Sequence, residues 1–189
     1  GQPPSYFSPY KISTLPEGAD GEYLTDRLTD EALRFVTDHK DRPFFLYWPH
    51  FAVHTPLQAQ KELMEKYQKK VVPGQKQNRP VYAAMIESID RGVGRLAAKL
   101  SELGLLDNTV IVFTSDNGGL VSSTHNGPLR GGKGTAYEGG VRVPLMFHFP
   151  SRIKSGQVCE APVASIDLFP TLLTLAGIKR YPGVDGCNL

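Results

Sequence analysis

Residues 109–119 have the sequence TVIVFTSDNGG. The β-branched apolar run predicts a buried strand, and its abrupt end in an acid, an amide and two glycines predicts a sharp turn. Open α/β sheets bind ligands just beyond the carboxyl ends of their strands, which is where Asp116 and Asn117 lie. Both side chains offer oxygen, which suits a hard cation such as Ca²⁺ or Mg²⁺. An ordinary Asn-Gly turn would use the same residues, so this motif alone leaves both interpretations open.

The overall composition is that of a globular protein. The chain has 189 residues, of which 40% are hydrophobic and 21% charged, and it is long enough for a domain with a core. A net charge of +2 gives no electrostatic argument for nucleic acid binding. No apolar run approaches the length of a membrane span. Cys159 and Cys187 have no metal-type spacing, and the sequence does not predict the oligomeric state.

Helices alternate with apolar strands along the chain. Apolar residues at spacings of three and four predict four helices, over residues 24–39, 58–68, 82–103 and 165–176. Apolar runs predict three strands, over residues 44–48, 109–113 and 141–149. The first of these runs is continuous, which predicts burial on both faces. This order favours an α/β fold in which a mostly parallel sheet is flanked by helices.

Lys133 lies in a glycine-rich loop, residues 118–140, whose length is typical of functional or disordered segments. Gly127, Gly132 and Lys133 match part of a phosphate-binding P-loop, but Gly134 stands where that motif has Ser or Thr, and no buried strand precedes it. The plain alternative is a solvated loop lysine. The glycines around Lys133 favour close approach of the backbone to another group.

Several other polar residues have an ordinary structural interpretation. His54 precedes Thr55-Pro56 in restricted, extended backbone, and a hydrogen-bonded histidine near a strand end is as consistent with this position as a functional one. His50 has apolar neighbours, which predicts a buried histidine without a chemical role. We expect His125 to be solvent-exposed. A further group is predicted to make ion pairs that hold the glycine-rich loop: Arg130, Glu138 and Arg142.

The order of these motifs resembles that of the sulfatases of the alkaline-phosphatase superfamily, which include the arylsulfatases. The most specific matches are SDNGG at 115–119, PLRGGKGT at 128–135 and EGGVRVP at 138–144. The segment from Leu46 to Pro56 looks like the family's strand that ends in a functional histidine. The resemblance covers most of the chain and implies the large α/β domain of that superfamily. On this basis residues 1–20 are a loop-like lead-in, and residues 21–189 are the middle and C-terminal part of the catalytic domain.

The resemblance implies roles for four residues in hydrolysis of a sulfate ester. Asp116 and Asn117 resemble ligands of a cation, usually Ca²⁺. Lys133 resembles the lysine that contacts the sulfate group, and His54 resembles the histidine that contacts the sulfate or the leaving oxygen. The implied substrates are sulfated small molecules or glycans rather than nucleic acids. The implied location is an exported compartment, namely periplasmic, secreted or lysosomal.

The family's nucleophile has no match in these 189 residues. It is a formylglycine, made from a cysteine or serine in the pattern C-x-[PA]-x-R, whereas Cys159 is followed by EAPV and Cys187 by two residues. We therefore expect the nucleophile and further Ca²⁺ ligands outside this sequence, and no activity from these residues alone. Two alternatives stay open. One is a phosphodiesterase or phosphonate monoester hydrolase, although two-zinc members commonly have a histidine where Asn117 stands. The other is a non-catalytic relative that binds a partner or glycan.

Overall fold

A computed structural model describes residues 3–178 and 181–189 of the chain. The chain divides into two compact units between Ile153 and Lys154. The larger unit contains the predicted functional residues. In the described part of the chain, no helix combines the length and the apolarity needed to cross a lipid bilayer.

Three helices form one layer of the larger unit: α1 over Leu24–Asp38, α2 over Lys61–Gln68 and α3 over Pro80–Glu102. The long helix α3 packs against both of the others. It ends where Gly104 adopts a φ of +69°, and the N–H of Leu105 donates to the Leu100 carbonyl at 2.8 Å. This is a Schellman end, in which a glycine in the left-handed region terminates the helix. A 3₁₀ turn over Leu106–Asn108 leads into the first strand.

The described residues contain one sheet, formed by β1 over Ile111–Thr114 and β2 over Leu145–His148. These strands are antiparallel, with Ile111 opposite His148, so the parallel pairing expected from the sequence is absent from this part of the protein. The strand predicted over 141–149 begins late because a helical turn, α4, occupies Glu138–Val141. Pro144 then precedes β2, as expected for a residue that cannot donate a ladder hydrogen bond.

The run over residues 44–48 corrects a second expectation. Phe44, Leu46 and Trp48 pack on the core, but Phe45 and Tyr47 are 71% and 77% exposed. The residues form no strand, and one face is open instead of both being buried. This alternation of buried and exposed side chains is typical of an extended chain that packs on helices with one face only. Burial of both faces would require a second covering layer, and backbone pairing would require a neighbouring strand. The described residues supply neither.

Two apolar clusters hold the larger unit together. Val36, Leu96 and Leu100 form one of them and receive Leu46 and Ile111 from the extended segments. The other is built largely from tyrosines and includes Tyr6, Tyr10, Tyr23, Leu24 and Met85. The N-terminal segment is therefore fixed on the core, although residues 3–20 contain neither a helix nor a named strand. Burial raises the pKa of Tyr23 to about 12.

The smaller unit confirms the helix predicted over residues 165–176. A 3₁₀ turn over Ser165–Asp167 continues into α5 over Leu168–Leu175. The Asp167 carboxylate accepts hydrogen bonds from the N–H groups of Ala164 and Cys187, both at 2.8 Å. These bonds lower the pKa of Asp167, because they stabilise its charged form. Cys159 and Cys187 are free thiols.

Candidate functional site

The end of β1 places Asp116 and Asn117 on a fixed turn. The Thr114 hydroxyl donates to the Pro144 carbonyl at 3.1 Å, and the Ser115 hydroxyl donates to the Asn117 carbonyl at 2.9 Å. Asp116 is exposed, and Asn117 is half-buried with its Nδ2 donating to the Gly118 carbonyl at 3.3 Å. The backbone is therefore fixed, while the Asp116 carboxylate and Asn117 Oδ1 accept no hydrogen bond from any described residue.

Glycines let three backbone segments of the glycine-rich loop touch one another. Gly118 donates from its N–H to the Gly140 carbonyl at 2.9 Å. A Cβ placed on Gly118 would lie 1.8 Å from the Gly139 carbonyl oxygen, so no other residue fits there without moving the backbone. Gly139 in turn donates to the Arg130 carbonyl at 2.8 Å. The segments at 118–119, 130–133 and 139–140 thus form one packed unit, which we term the glycine cluster.

Asn126 fastens two of these segments with one side chain. Its Oδ1 accepts from the Gly119 N–H at 2.9 Å, and its Nδ2 donates to the carbonyls of Gly119 at 2.7 Å and Gly131 at 3.2 Å. Sequence reasoning missed this residue, because an Asn before Gly-Pro is an ordinary turn signal. The surrounding glycines are the signal that could have indicated it. Their carbonyl and N–H groups need hydrogen-bond partners when the backbone is buried, and an Asn side chain can supply both a donor and an acceptor.

Lys133 is joined to the turn that carries Asp116 and Asn117. Its backbone N–H donates to the Gly119 carbonyl at 3.1 Å. The side chain is half-buried, and its ammonium forms no ion pair with the described residues. The structure thus brings a lysine, a carboxylate and an amide oxygen onto one cluster of loops. The absence of a strand before Lys133 and of a helix directly after it agrees with rejection of a P-loop.

His54 is positioned by a different part of the chain. The Tyr6 hydroxyl donates to the His54 carbonyl at 3.0 Å, and the His54 N–H donates to the Phe51 carbonyl at 2.9 Å. Its ring Nδ1 lies 3.0 Å from the Thr55 carbonyl oxygen and 3.2 Å from Oγ1 of the same residue. A carbonyl can only accept, so the first contact requires the proton on Nδ1.

His50 matches the structural interpretation given to it. Its ring packs on Trp48 with 4.4 Å between the ring centroids. Both of its ring nitrogens are buried without a hydrogen-bond partner among the described residues, as is Nε1 of Trp48. Burial lowers the pKa of His50 to about 4, so the ring is neutral at physiological pH. His125, by contrast, is half-buried rather than exposed, and its Nδ1 accepts from the Gly127 N–H at 2.9 Å.

Two of the three charged residues predicted to form ion pairs in the loop do so. Arg142 lies 3.7 Å from Glu138, an exposed ion pair that contributes little to stability. Arg130 forms no ion pair with any described residue, which corrects the expectation. Its guanidinium stacks instead over the Tyr137 ring, 3.8 Å from the centroid. A cation–π contact of this kind holds Arg130 in place without neutralising its charge.

The residues present fit part of a cation site. The Asp116 carboxylate and Asn117 Oδ1 are hard oxygen donors of the kind that Ca²⁺ and Mg²⁺ prefer. Ca²⁺ takes about six to eight oxygens, however, and two residues cannot supply them. Among the described residues, no group of three or more His, Cys, Asp or Glu side chains could hold a metal ion. Any complete shell therefore needs ligands from outside these residues.

Comparison with known proteins identifies the family. A family model described as Sulfatase matches residues 2–178. The chain belongs to the sulfatase family. It is 40% identical over 169 residues to a sulfatase of Formosa agariphila and 36% identical over 191 residues to human steryl-sulfatase. These matches cover 84% and 95% of this chain and 31% of each relative, so the chain spans about a third of the length of these curated relatives.

Solved structures confirm the α/β fold class for this sulfatase-family chain. The crystal structure of Ps i-CgsB in complex with k-i-k-neocarrahexaose matches with a TM-score of 0.82 at 42% identity, covering 91% of this chain and 38% of that one. A phosphonate monoester hydrolase from Silicibacter pomeroyi has a TM-score of 0.61 at 23% identity, which shows a common fold alone. The fold is therefore the alkaline-phosphatase-like one.

Proposed function

We propose that the full-length protein hydrolyses sulfate esters. The observation that carries this proposal is the hydrogen bond from Lys133 N–H to the Gly119 carbonyl, which joins a lysine to the turn bearing Asp116 and Asn117. Hydrolysis of a sulfate ester places negative charge on the sulfuryl oxygens and on the leaving oxygen. An ammonium and a cation site on one rigid loop cluster are suited to stabilising that charge, because preformed charges need no rearrangement during the reaction.

In this proposal Asp116 and Asn117 hold a Ca²⁺ ion, with Mg²⁺ as the alternative, together with ligands from outside these residues. When bound, the ion supplies positive charge beside the sulfuryl oxygens. Lys133 binds and orients the sulfate group through its ammonium. The nucleophile is a formylglycine that lies outside the 189 residues. The favoured substrates are sulfated small molecules or glycans, the classes to which the names of the relatives refer.

His54 acts on the leaving oxygen in this proposal. The contact between its Nδ1 and the Thr55 carbonyl supports this role, because it holds the imidazole ring in one orientation. A protonated Nε2 donates to the leaving oxygen as the bond to sulfur breaks. The sulfuryl group passes to the nucleophile outside these residues and from there to water, and the proton released in the second transfer returns to the same nitrogen. His54 is thus the general acid, and Lys133 is the residue that binds the sulfate group.

A turnover assay with two variants tests these roles. In the full-length protein, Lys133→Ala and His54→Ala should each lower kcat/KM for 4-nitrophenyl sulfate by about a hundredfold or more. Lys154→Ala, a change to an exposed lysine of the smaller unit, is the matched control and should leave the rate unchanged. Wild-type activity on a phosphate diester but not on the sulfate would support the phosphodiesterase alternative. Glycan binding without any turnover would support the non-catalytic one.

The same proposal includes an exported location, either periplasmic, secreted or lysosomal. Cell fractionation of the full-length protein with a C-terminal tag tests it. Recovery of the tagged protein in the cytosolic fraction alone would contradict it.

A further inference from the structure

Two segments of the larger unit contain basic residues and no acidic ones. Residues 66–86 and 117–137 together hold seven of the 21 Lys and Arg residues and none of the 19 Asp and Glu residues. The second segment contains Arg130 and Lys133 of the glycine cluster. The first contains five cations: Lys66, Lys69, Lys70, Lys76 and Arg79. The rest of the chain is therefore net acidic.

Residues 66–79 are here called the basic segment. Its five cations are exposed to solvent, and most of them form no ion pair with the described residues. Every residue from 69 to 79 is exposed. Lys66 pairs with Glu87 at 2.6 Å, whereas the other four cations form no ion pair with the described residues. Lys66 and Lys70 also place their ammonium groups 5.4 Å and 5.2 Å from the Tyr67 ring centroid. Concentrated like charges repel one another, and an anion bound across them relieves that repulsion.

The basic segment is fastened to the loop that carries the candidate site. The Gln77 side chain donates to the His125 carbonyl and accepts from the Thr124 hydroxyl at 3.1 Å. The next residue in the chain is Asn126, whose amide holds Gly119 and Gly131 of the glycine cluster. The residue that Gln77 contacts, His125, is therefore directly followed by the residue that fixes the glycine cluster.

We propose that the basic segment binds the additional anionic groups of a polysulfated glycan whose scissile ester lies at the glycine cluster. The inference rests on the proposed function and narrows its substrate class. A small monosulfated ester would occupy the cluster alone and leave the basic segment unused. A chain with several sulfates reaches both, and the field of the exposed cations also speeds its association. Single-stranded nucleic acid fits less well, because the basic segment offers one aromatic ring, that of Tyr67, for base stacking.

A charge-neutralised variant of the full-length protein tests the proposal. The variant carries four changes: Lys69→Gln, Lys70→Gln, Lys76→Gln and Arg79→Gln. The probe is a heparin hexasaccharide, used as an inhibitor of 4-nitrophenyl sulfate hydrolysis. We expect its inhibition constant to rise at least about tenfold at low salt, and to depend less on salt than in the wild type. The kcat/KM for 4-nitrophenyl sulfate should stay within about twofold of the wild-type value, because these side chains do not belong to the cluster.

The control variant loses the same charge at exposed positions outside the basic segment: Lys11→Gln, Lys40→Gln, Arg42→Gln and Lys154→Gln. Its inhibition constant should match the wild type. An unchanged constant in the test variant, or an equal rise in the control, would overturn the proposal. Calorimetric titration with the hexasaccharide keeps the test valid if the wild type hydrolyses no sulfate ester, an outcome that would refute the proposed function alone. Binding of an oligonucleotide of equal charge as tightly as the hexasaccharide would overturn the assignment to a glycan.

Discussion

The glycine cluster and the apolar run at residues 44–48 are opposite cases within one unit. The cluster consists of loop segments and the short helical turn α4, and its backbone groups are bonded to one another across 118–119, 130–133 and 139–140. The run has the composition of a buried strand, yet it pairs with no described strand and exposes Phe45 and Tyr47. The backbone of the loop is thus held by hydrogen-bond partners within about 25 residues of sequence. A strand instead needs a neighbouring strand from elsewhere in the chain to pair with.

The largest loss of stability is expected from Gly118→Ala, because this substitution disrupts the backbone contacts of the glycine cluster. The new Cβ would lie 1.8 Å from the Gly139 carbonyl oxygen, and Gly139 cannot retreat easily because its N–H is bonded to the Arg130 carbonyl. We expect the free energy of unfolding of the full-length protein to fall by about 3 kcal/mol. Urea unfolding measures the loss, and turnover of 4-nitrophenyl sulfate should disappear with the displaced loop.

The matched control is Gly94→Ala in α3. A Cβ at Gly94 would meet no atom within 4 Å, and its backbone is helical. Alanine there should raise the free energy of unfolding by about 0.5–1 kcal/mol, because glycine is the poorer helix former. Equal destabilisation by both substitutions would mean that backbone contact at Gly118 is not what orders the loop.

The second prediction compares the buried and the exposed face of the apolar run at residues 44–48. Leu46 packs against the cluster of Val36, Leu96 and Leu100, whereas Phe45 is 71% exposed. In the 189-residue chain, Leu46→Ala should lower the free energy of unfolding by about 2 kcal/mol, and Phe45→Ala by less than about 0.5 kcal/mol. Urea unfolding of the two variants measures both values. Similar losses in both would show that the run is covered on its two faces, as the sequence alone predicted.

The sequence predicted the helices and the strand before Asp116 because each depends on local periodicity. The end of α3 at Gly104 was also local, since glycine alone accepts that φ without strain. The parallel sheet and the two-sided burial of residues 44–48 were not local properties. A continuous apolar run indicates that both faces favour burial, but it does not identify the segment that covers them.

The sequence indicated the candidate residues whose side chains have a chemical function. It did not indicate the residues whose side chains hold the loop backbone in place. Asp116, Asn117 and Lys133 stand out by residue type beside glycines, and the structure joins their segments. Asn126 carries no such signal, because its importance lies in three hydrogen bonds that only the folded loop defines. Arg130 was assigned an ion pair because charge is visible in sequence, whereas the ring that it stacks on, seven residues later, is a matter of loop geometry.

The smallest effect is expected from an ion pair that belongs to neither region. Glu87 on α3 accepts a hydrogen bond from Lys66 at 2.6 Å, which fixes the start of the basic segment. This contact is the largest of the effects that lower the pKa of Glu87 from its ordinary 4.5 to about 2; a hydrogen bond from Tyr67 and the ion pair with Arg91 at 2.7 Å add to it. A carboxylate with a lowered folded-state pKa adds stability above pH 4.5, and that stability is lost as the pH falls toward 2. Because the Lys66 side chain is 44% exposed, solvent screening limits the effect to about 1 kcal/mol.

Glu87→Gln should therefore destabilise the protein at pH 6 by about 1 kcal/mol and have a smaller effect at pH 3. Urea unfolding of wild type and variant at the two pH values measures the change, and added salt should reduce the difference at pH 6. Glu62→Gln is the control, because Glu62 on α2 is exposed and forms no ion pair with the described residues. If the destabilisation by Glu87→Gln were the same at both pH values, the loss would come from packing on α3.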